Sequence, residues 1–298
     1  MSNNRLKKLS SFFLTLKSQP IEIVLFFCAS FSIIILFLML LFVAREGAYA
    51  FSKFGSDLFF GTKWDLRSNL FGGLPLLYGS LMVTFGALLI AIPIGICTAI
   101  FVSEILPFSL RDPVKSIIEL LASIPSVIYG FIGLLVVVPL IASTFGLVSG
   151  QTALAASLML SIMTIPTIVS VSGEIISAVP KEYKDAAFGL GATKWETIKS
   201  VVLPISKSGI LASIMLGFGR AIGETIAVSM VAGNQAHIAS SYLEAVYTIP
   251  SFIATHMGEA PVGSLEYSAL FGLALVLLII TFTVNTLADI VVKRGAQL

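Results

Sequence analysis

Charged residues are scarce in this sequence. Of its 298 residues, 11% are charged and 57% are hydrophobic, whereas a soluble domain usually has about 25% charged and 45–50% apolar residues. So few charges cannot cover the apolar surface of a folded chain of this length in water. The composition therefore excludes a soluble enzyme, a nucleic-acid-binding protein and a secreted disulfide scaffold, and it predicts that lipid surrounds most of the chain.

Cysteine, histidine and nucleotide-binding motifs are equally sparse. The cysteines, Cys28 and Cys97, lie in apolar runs, so we expect them to behave as small hydrophobic residues. The histidines, His237 and His256, lack a spacing typical of metal ligands. No Gly-x-x-x-x-Gly-Lys-[Ser/Thr] motif is present, so the chain has no phosphate-binding loop for ATP. We expect no cofactor to be bound by this chain, and energy must come from another subunit.

Long apolar runs, in contrast, are abundant. A helix that crosses a bilayer needs about 20 mostly apolar residues. The first run follows a basic stretch, as in a signal peptide, but it is longer than the roughly 7–15 apolar residues of a signal peptide, so we interpret it as a retained anchor. The sequence therefore predicts an all-α polytopic membrane protein with six transmembrane helices, over residues 21–44, 76–102, 117–141, 152–176, 208–232 and 268–292.

The basic residues that flank these runs predict the orientation. Lys and Arg are enriched in short cytoplasmic loops, and with an internal N-terminus thirteen of them lie inside and four outside. Both termini are therefore predicted to be cytoplasmic. The chain divides into an N-terminal tail (1–20), a first helix with an outer segment (21–75) and a core of five helices (76–293) with a cytoplasmic loop (177–207).

The cytoplasmic loop carries a spaced motif. We predict a short helix after Pro180, a turn, and a second short helix that ends at Pro204, with Phe188, Trp195 and Ile198 projecting. Such a surface is typical of a docking element for another protein, or of a helix that lies on lipid headgroups. The motif residues are Asp185, Ala186, Ala187, Gly191, Leu203 and Pro204.

This motif resembles the EAA loop of ABC-importer permeases, in which Glu-Ala-Ala, three residues, Gly, nine residues and Ile-x-Leu-Pro follow one another. The sequence departs from it at Asp185, in place of Glu, and at Val201, in place of Ile. The resemblance implies a type I importer architecture, in which the loop forms a coupling helix on an ATP-hydrolysing subunit.

Further segments resemble phosphate-specific permeases of the PstC type. They are the motifs that begin at Trp64 and Phe71, the Ser123-Ile124-Pro125-Ser126-Val127-Ile128-Tyr129-Gly130 run and the run from Gly219 to Val228. The resemblance implies a bacterial or archaeal cell-membrane location. It also implies a second permease subunit of the PstA type, two ATPase subunits, an extracytoplasmic phosphate-binding protein and inorganic phosphate as substrate.

Arg220 and Glu224 are the main candidates for the substrate pathway. They lie in the middle of an apolar run, where a charge costs a few kcal/mol, and the spacing of four residues predicts one helix face. They form either a structural ion pair or part of a translocation path, in which arginine binds a tetrahedral oxyanion. Ser123, Ser126 and Tyr129 could add hydroxyl groups near Pro125.

Three other functions share parts of this pattern. A sulfate or molybdate permease would have the same cytoplasmic loop motif. A secondary transporter or channel could use Arg220 and Glu224 as an ion relay, although the loop motif argues against it. A membrane sensor could dock a signalling protein on the loop.

Overall fold

The computed structural model describes residues 20–295, and six helical segments in that range are long and apolar enough to cross a membrane. The six predicted spans are therefore confirmed, with changed boundaries. In lipid the backbone must satisfy its own hydrogen bonds, which favours helices throughout. The elements are α1 Pro20–Phe54, α2 Asp57–Phe60, β1 Trp64–Asp65, β2 Leu70–Phe71, α3 Leu74–Ile100 with a π-helical end Phe101–Ile105, α4 Phe108–Ser123, α5 Ser126–Ile132 with the π-helix Gly133–Val137, α6 Val138–Phe145, α7 Ala153–Ser177, α8 Lys181–Gly189, α9 Lys194–Thr197 with the π-helix Ile198–Val202, α10 Leu203–Ile222, α11 Ile226–Val231, α12 Ile249–His256 and α13 Leu265–Gly295.

Helix α7 is the centre of the bundle and packs against α3, α10 and α4. Thr152 begins it by accepting a hydrogen bond from the Ala155 N–H at 3.2 Å, which satisfies a free donor of the first turn. Ile168 of α7 lies so close to Gly95 of α3 and Gly217 of α10 that a Cβ there would lie 2.8–3.0 Å from it. Small residues thus allow the close helix contacts typical of membrane bundles.

The third span differs from its predicted range of 117–141. Residues before Ser123 belong to α4, a separate amphipathic helix with no buried residue, and the span covers Ser126–Phe145. The break occurs at Ile124, whose ψ is 130°, because Pro125 disfavours helical geometry in the residue before it.

The fifth span also differs from its predicted range of 208–232. It begins earlier and covers Lys194–Ile222, and the chain then leaves helical hydrogen bonding at residues 223–225 before α11 begins. The apolar run continues through this break, so hydropathy gives no sign of it. The predicted continuous helix is therefore wrong at its C-terminal end.

The connections beside α3 form a small folded layer. The two strands pair antiparallel, with Trp64 opposite Phe71. The Trp64 ring contacts the Phe71 and Phe252 rings edge-on, with 5.0 and 4.8 Å between the ring centroids. Phe252 belongs to α12, which is anchored by a 2.9 Å hydrogen bond from the Ser251 hydroxyl to the Thr225 carbonyl. The layer therefore contacts the break in the fifth span directly.

The first span, α1, extends beyond its predicted end at residue 44 and packs mainly against α13. Most of its side chains between residues 23 and 42 are exposed. The predicted tail 1–20, with its basic residues, lies outside the described residues except for Pro20.

Candidate translocation site and the 177–207 segment

Arg220 lies near the end of α10, at the point where the fifth span breaks. Its Nη1 donates to Thr167 Oγ1 of α7 at 2.9 Å, and its Nη2 donates to the Ala122 carbonyl of α4 at 3.4 Å. A guanidinium has five N–H donors. These two contacts hold the side chain in place and leave three donors that no described residue engages.

The Ala122 contact explains how a charge is tolerated at this depth. Ala122 lies in the last turn of α4, where carbonyl groups lack helical partners and the helix dipole favours a cation. The Tyr129 hydroxyl donates to the neighbouring Leu121 carbonyl at 2.8 Å. Arg220 and Tyr129 therefore satisfy the same helix end together.

Glu224 does not share a helix face with Arg220, so that prediction is wrong. α10 ends at Ile222, and Glu224 lies in the break beyond it. Its carboxylate accepts from the Ala227 N–H at 3.2 Å, which caps α11. Arg220 and Glu224, both among the described residues, form no ion pair with each other.

A cavity of about 670 Å³ lies beside Arg220, between the fourth, fifth and sixth spans. Asn285 and Asp289 of α13 face it, although the sequence pointed to neither residue as part of the substrate pathway. The useful signal was their spacing of four residues on a span that otherwise lacks charge in that region, which puts both on one face. The lining residues are Thr167, Ala212, Met215, Leu216, Gly219, Arg220, Asn285, Ala288 and Asp289.

The three predicted hydroxyl residues lie at the break before the third span and do not line this cavity. Ser123 is exposed and donates to the Leu120 carbonyl at 2.7 Å, whereas Ser126 is the first residue of α5. Tyr129 is buried at 7% exposure. The structure thus brings Tyr129 and Arg220 to one helix end and leaves both serines beside it.

The 177–207 segment begins as predicted, with a helix after Pro180 and a turn. Gly191 in the turn has φ +84°, a conformation that glycine adopts without steric cost. Thr193 then starts α9 with a reciprocal capping box to Glu196. The predicted end at Pro204 is wrong, because α10 begins at Leu203 and continues into the membrane. The preceding π-helical turn accommodates a proline that has no N–H to donate.

Large apolar side chains project from this segment. Leu190 is 91% and Trp195 61% exposed, and Tyr183 and Phe188 are about half exposed. Ile198 is predicted to project with them, but it is 2% exposed because it packs in a buried cluster with Ile176 and Val202. Several exposed aromatic side chains on one short segment are typical of a protein-binding surface.

The two histidines serve separate local structures. His237 contacts Glu244 at 3.1 Å, and the pKa of Glu244 is lowered first by the hydrogen bond from the Ser240 hydroxyl and then by the one from His237. His256 stacks on Phe252 with 3.9 Å between ring centroids. These contacts give both histidines a structural role in the connection between the fifth and sixth spans.

A bundle of six spans with an arginine facing an open cavity between three of them has the architecture of a membrane transport protein. Solved structures with a similar fold are ABC transporters. A chain of a bacterial alginate importer matches with a TM-score of 0.62 at 16% identity, over 95% of this chain and 99% of that one. A chain of the methionine transporter MetNI matches with a TM-score of 0.55 at 18% identity, over 75% and 94%.

Residues 91–296 match the family described as binding-protein-dependent transport system inner membrane component. The phosphate transport system permease protein PstC of Mesorhizobium japonicum is 39% identical, over 82% of this chain and 80% of that protein. The probable PstC of Methanocaldococcus jannaschii is 32% identical over 90% and 92%. This chain belongs to that permease family, and within it to the PstC group. It is thus a multi-pass transport permease and not a hydrolase.

Proposed function

We propose that this chain conducts inorganic phosphate through the membrane as one subunit of an ATP-driven importer. The observation that carries the proposal is its relationship to PstC proteins of phosphate transport systems, which are 37–39% identical over more than four fifths of the chain. The cavity beside Arg220 supplies a physical route by which the same subunit could bind the anion.

The chemistry of this cavity suits a tetrahedral oxyanion. The free donors of Arg220 can hold two oxygens of one anion at once, and Thr167 and Asn285 add polar groups to the wall. An anion that leaves water needs such replacements, because an unpaired charge in an apolar medium is very costly. Glu224, Ser123, Ser126 and Tyr129 would act on the same path by fixing the two breaks that surround Arg220.

ATP hydrolysis takes place, in this proposal, on two separate ATPase subunits that contact the 177–207 segment. The exposed aromatic side chains of that segment provide the contact area, and Asp185, Ala186, Ala187, Gly191, Leu203 and Pro204 shape it. This chain binds no cofactor of its own. A second permease of the PstA type and an extracytoplasmic phosphate-binding protein complete the complex.

The proposed orientation places both termini and the 177–207 segment in the cytoplasm of a bacterial or archaeal cell. It rests on the thirteen basic residues on that side of the spans against four on the other. The connection between α11 and α13, with α12, then faces the binding protein outside.

Reconstitution tests this function. The chain, its PstA-type partner and the ATPase subunits are placed in vesicles with the binding protein, and labelled phosphate uptake is measured with and without ATP. We expect uptake that requires ATP and is unaffected by excess sulfate. Uptake without ATP would identify a channel or secondary transporter, and competition by sulfate would identify a permease for a different oxyanion.

A further inference from the structure

An ion pair joins the 177–207 segment to the second span. Lys184 Nζ of α8 lies 2.5 Å from Glu104 Oε1, in the π-helical end of α3, and the two side chains are 17% and 11% exposed. In the described part of the chain, no other side-chain hydrogen bond or ion pair connects α8 to a span. α8 has no buried residue, and besides this ion pair it contacts α9 and the π-helical turn Ile198–Val202.

The same ion pair lies at the start of α4. Leu106 lies two residues after Glu104, and its carbonyl accepts from Arg111 Nε of α4 at 3.0 Å. This contact attaches the first turn of α4 to the end of the second span. A displacement of α8 is therefore passed to α4 through two short polar contacts.

The other end of α4 is held by Arg220, through the Ala122 carbonyl, and by Tyr129, through the Leu121 carbonyl. α4 has 16 residues, which corresponds to a length of about 24 Å. It has no buried residue, and a cavity of about 150 Å³ lies where it meets α7 and the end of α3. The helix thus has polar contacts at its two ends, and between them it packs on α7 with Ile118 against the buried side chains there.

We propose that α4 transmits displacements of the 177–207 segment to Arg220. Glu104 and Lys184 are the positioning residues that attach the segment to α4. The inference rests on the proposed function, since the motion enters where the ATPase docks. When α8 shifts, α4 shifts with it, and the Ala122 carbonyl moves relative to the guanidinium. The donors that Arg220 presents to the cavity then change with the state of the ATPase.

Glu104→Gln tests the attachment in the reconstituted complex, because it keeps the side-chain shape and removes the charge that pairs with Lys184. We expect the ratio of phosphate imported to ATP hydrolysed to fall about tenfold, within the range typical of coupling between two sites. Glu119→Gln is the matched control, since Glu119 is an exposed carboxylate on α4 itself with no ion pair among the described residues. It should keep the wild-type ratio.

If Glu104→Gln fails to assemble, the double variant Glu104→Lys with Lys184→Glu provides the test. Each single reversal places two like charges together, whereas the double variant restores the attraction with reversed polarity. We expect the double variant to recover at least half of the wild-type ratio. If the two single reversals and the double variant all lose the ratio of phosphate imported to ATP hydrolysed, the ion pair is not the attachment and the proposal is overturned.

A labelling measurement reports the motion directly. Ser116→Cys places a thiol on the exposed side of α4, in a background where Cys28 and Cys97 are replaced by alanine. We expect its reaction rate to differ between the ATP-bound and nucleotide-free complex, and this difference to vanish in Glu104→Gln. If the reaction rate differs equally between the two nucleotide states with and without Glu104→Gln, α4 does not transmit the motion, even when phosphate uptake is normal. A wild-type complex that imports no phosphate would instead refute the proposed function.

Discussion

Arg220 is stabilised by backbone geometry and not by an opposite charge. Its contacts are the Thr167 hydroxyl and a carbonyl at the end of α4, and Glu224 is occupied with the Ala227 N–H. A cation held by a helix end keeps its full charge. An anion that enters the cavity therefore meets a charge that no carboxylate of the described residues has already neutralised by direct contact.

This arrangement predicts different results for two substitutions of Arg220. Arg220→Lys keeps the charge but loses the planar fork that binds two oxygens, so we expect phosphate uptake to fall about tenfold, as for the loss of one charged hydrogen bond. Arg220→Gln removes the charge and should abolish uptake. Uptake by purified complexes of matched subunit content measures both. Normal uptake by Arg220→Gln would exclude Arg220 from the path.

Asp289 is expected to help to distinguish phosphate from sulfate. Phosphate near neutral pH still carries a proton and can donate to a carboxylate, whereas sulfate carries none and is repelled. Because Asp289 lines the Arg220 cavity, Asp289→Asn should reduce the preference for phosphate about tenfold, the typical effect of one buried polar group.

Glu224→Gln is the matched comparison for Asp289→Asn. Its amide oxygen can still accept from the Ala227 N–H, and the residue does not line the cavity. We expect it to keep most of the preference. The ratio of phosphate to sulfate uptake in vesicles measures both variants. If Glu224→Gln alone narrows the ratio, the discriminating acid is Glu224 and not Asp289.

At the level of elements, the turn between α8 and α9 depends on one backbone conformation. A Cβ at Gly191 would meet nothing within 4 Å, yet its φ is +84°. An L-residue there is strained by about 1–2 kcal/mol without any clash. The strain therefore falls on the turn that orients the exposed aromatic side chains.

We predict that Gly191→Ala lowers phosphate uptake and recovery of the ATPase subunits several-fold, since strain of about 1–2 kcal/mol shifts the turn toward other conformations. Co-purification and uptake are measured together. Gly189→Ala is the control, because Gly189 lies in the helix with equally open space and alanine favours helix. Equal behaviour of the two variants would show that the turn does not orient the surface.

The sequence identified elements better than it identified their ends. Six apolar runs were enough to count the spans, and the charge of Arg220 in an apolar run marked it as unusual. Hydropathy is averaged over a window of many residues, so it does not detect a break of one to three residues. It therefore misses that Pro125 separates α4 from α5 and that α10 ends before Gly223. The partners of Arg220 lie 53 and 98 residues away, and local spacing contains no information on them.

The arrangement of the whole molecule across the membrane is open to a direct test. Single cysteines at Ser149 and Gln235, both exposed, should react with an impermeant thiol reagent added outside intact cells. A cysteine at Lys181, exposed on α8 and outside the Lys184–Glu104 pair, should react only after the cells are opened. Labelling of Lys181→Cys from outside would invert the orientation, because the 177–207 segment could then not reach an internal ATPase.

The packing of α1 against α13 has a consequence for biosynthesis. α1 is synthesised before α13, on which it mainly packs, so it must remain in the bilayer without this partner until α13 has been made. Its side chains between residues 23 and 42 are almost all exposed, and it is the most apolar of the six spans. This composition suits α1 to insert on its own, because it exposes no polar helix face to lipid before α13 is present.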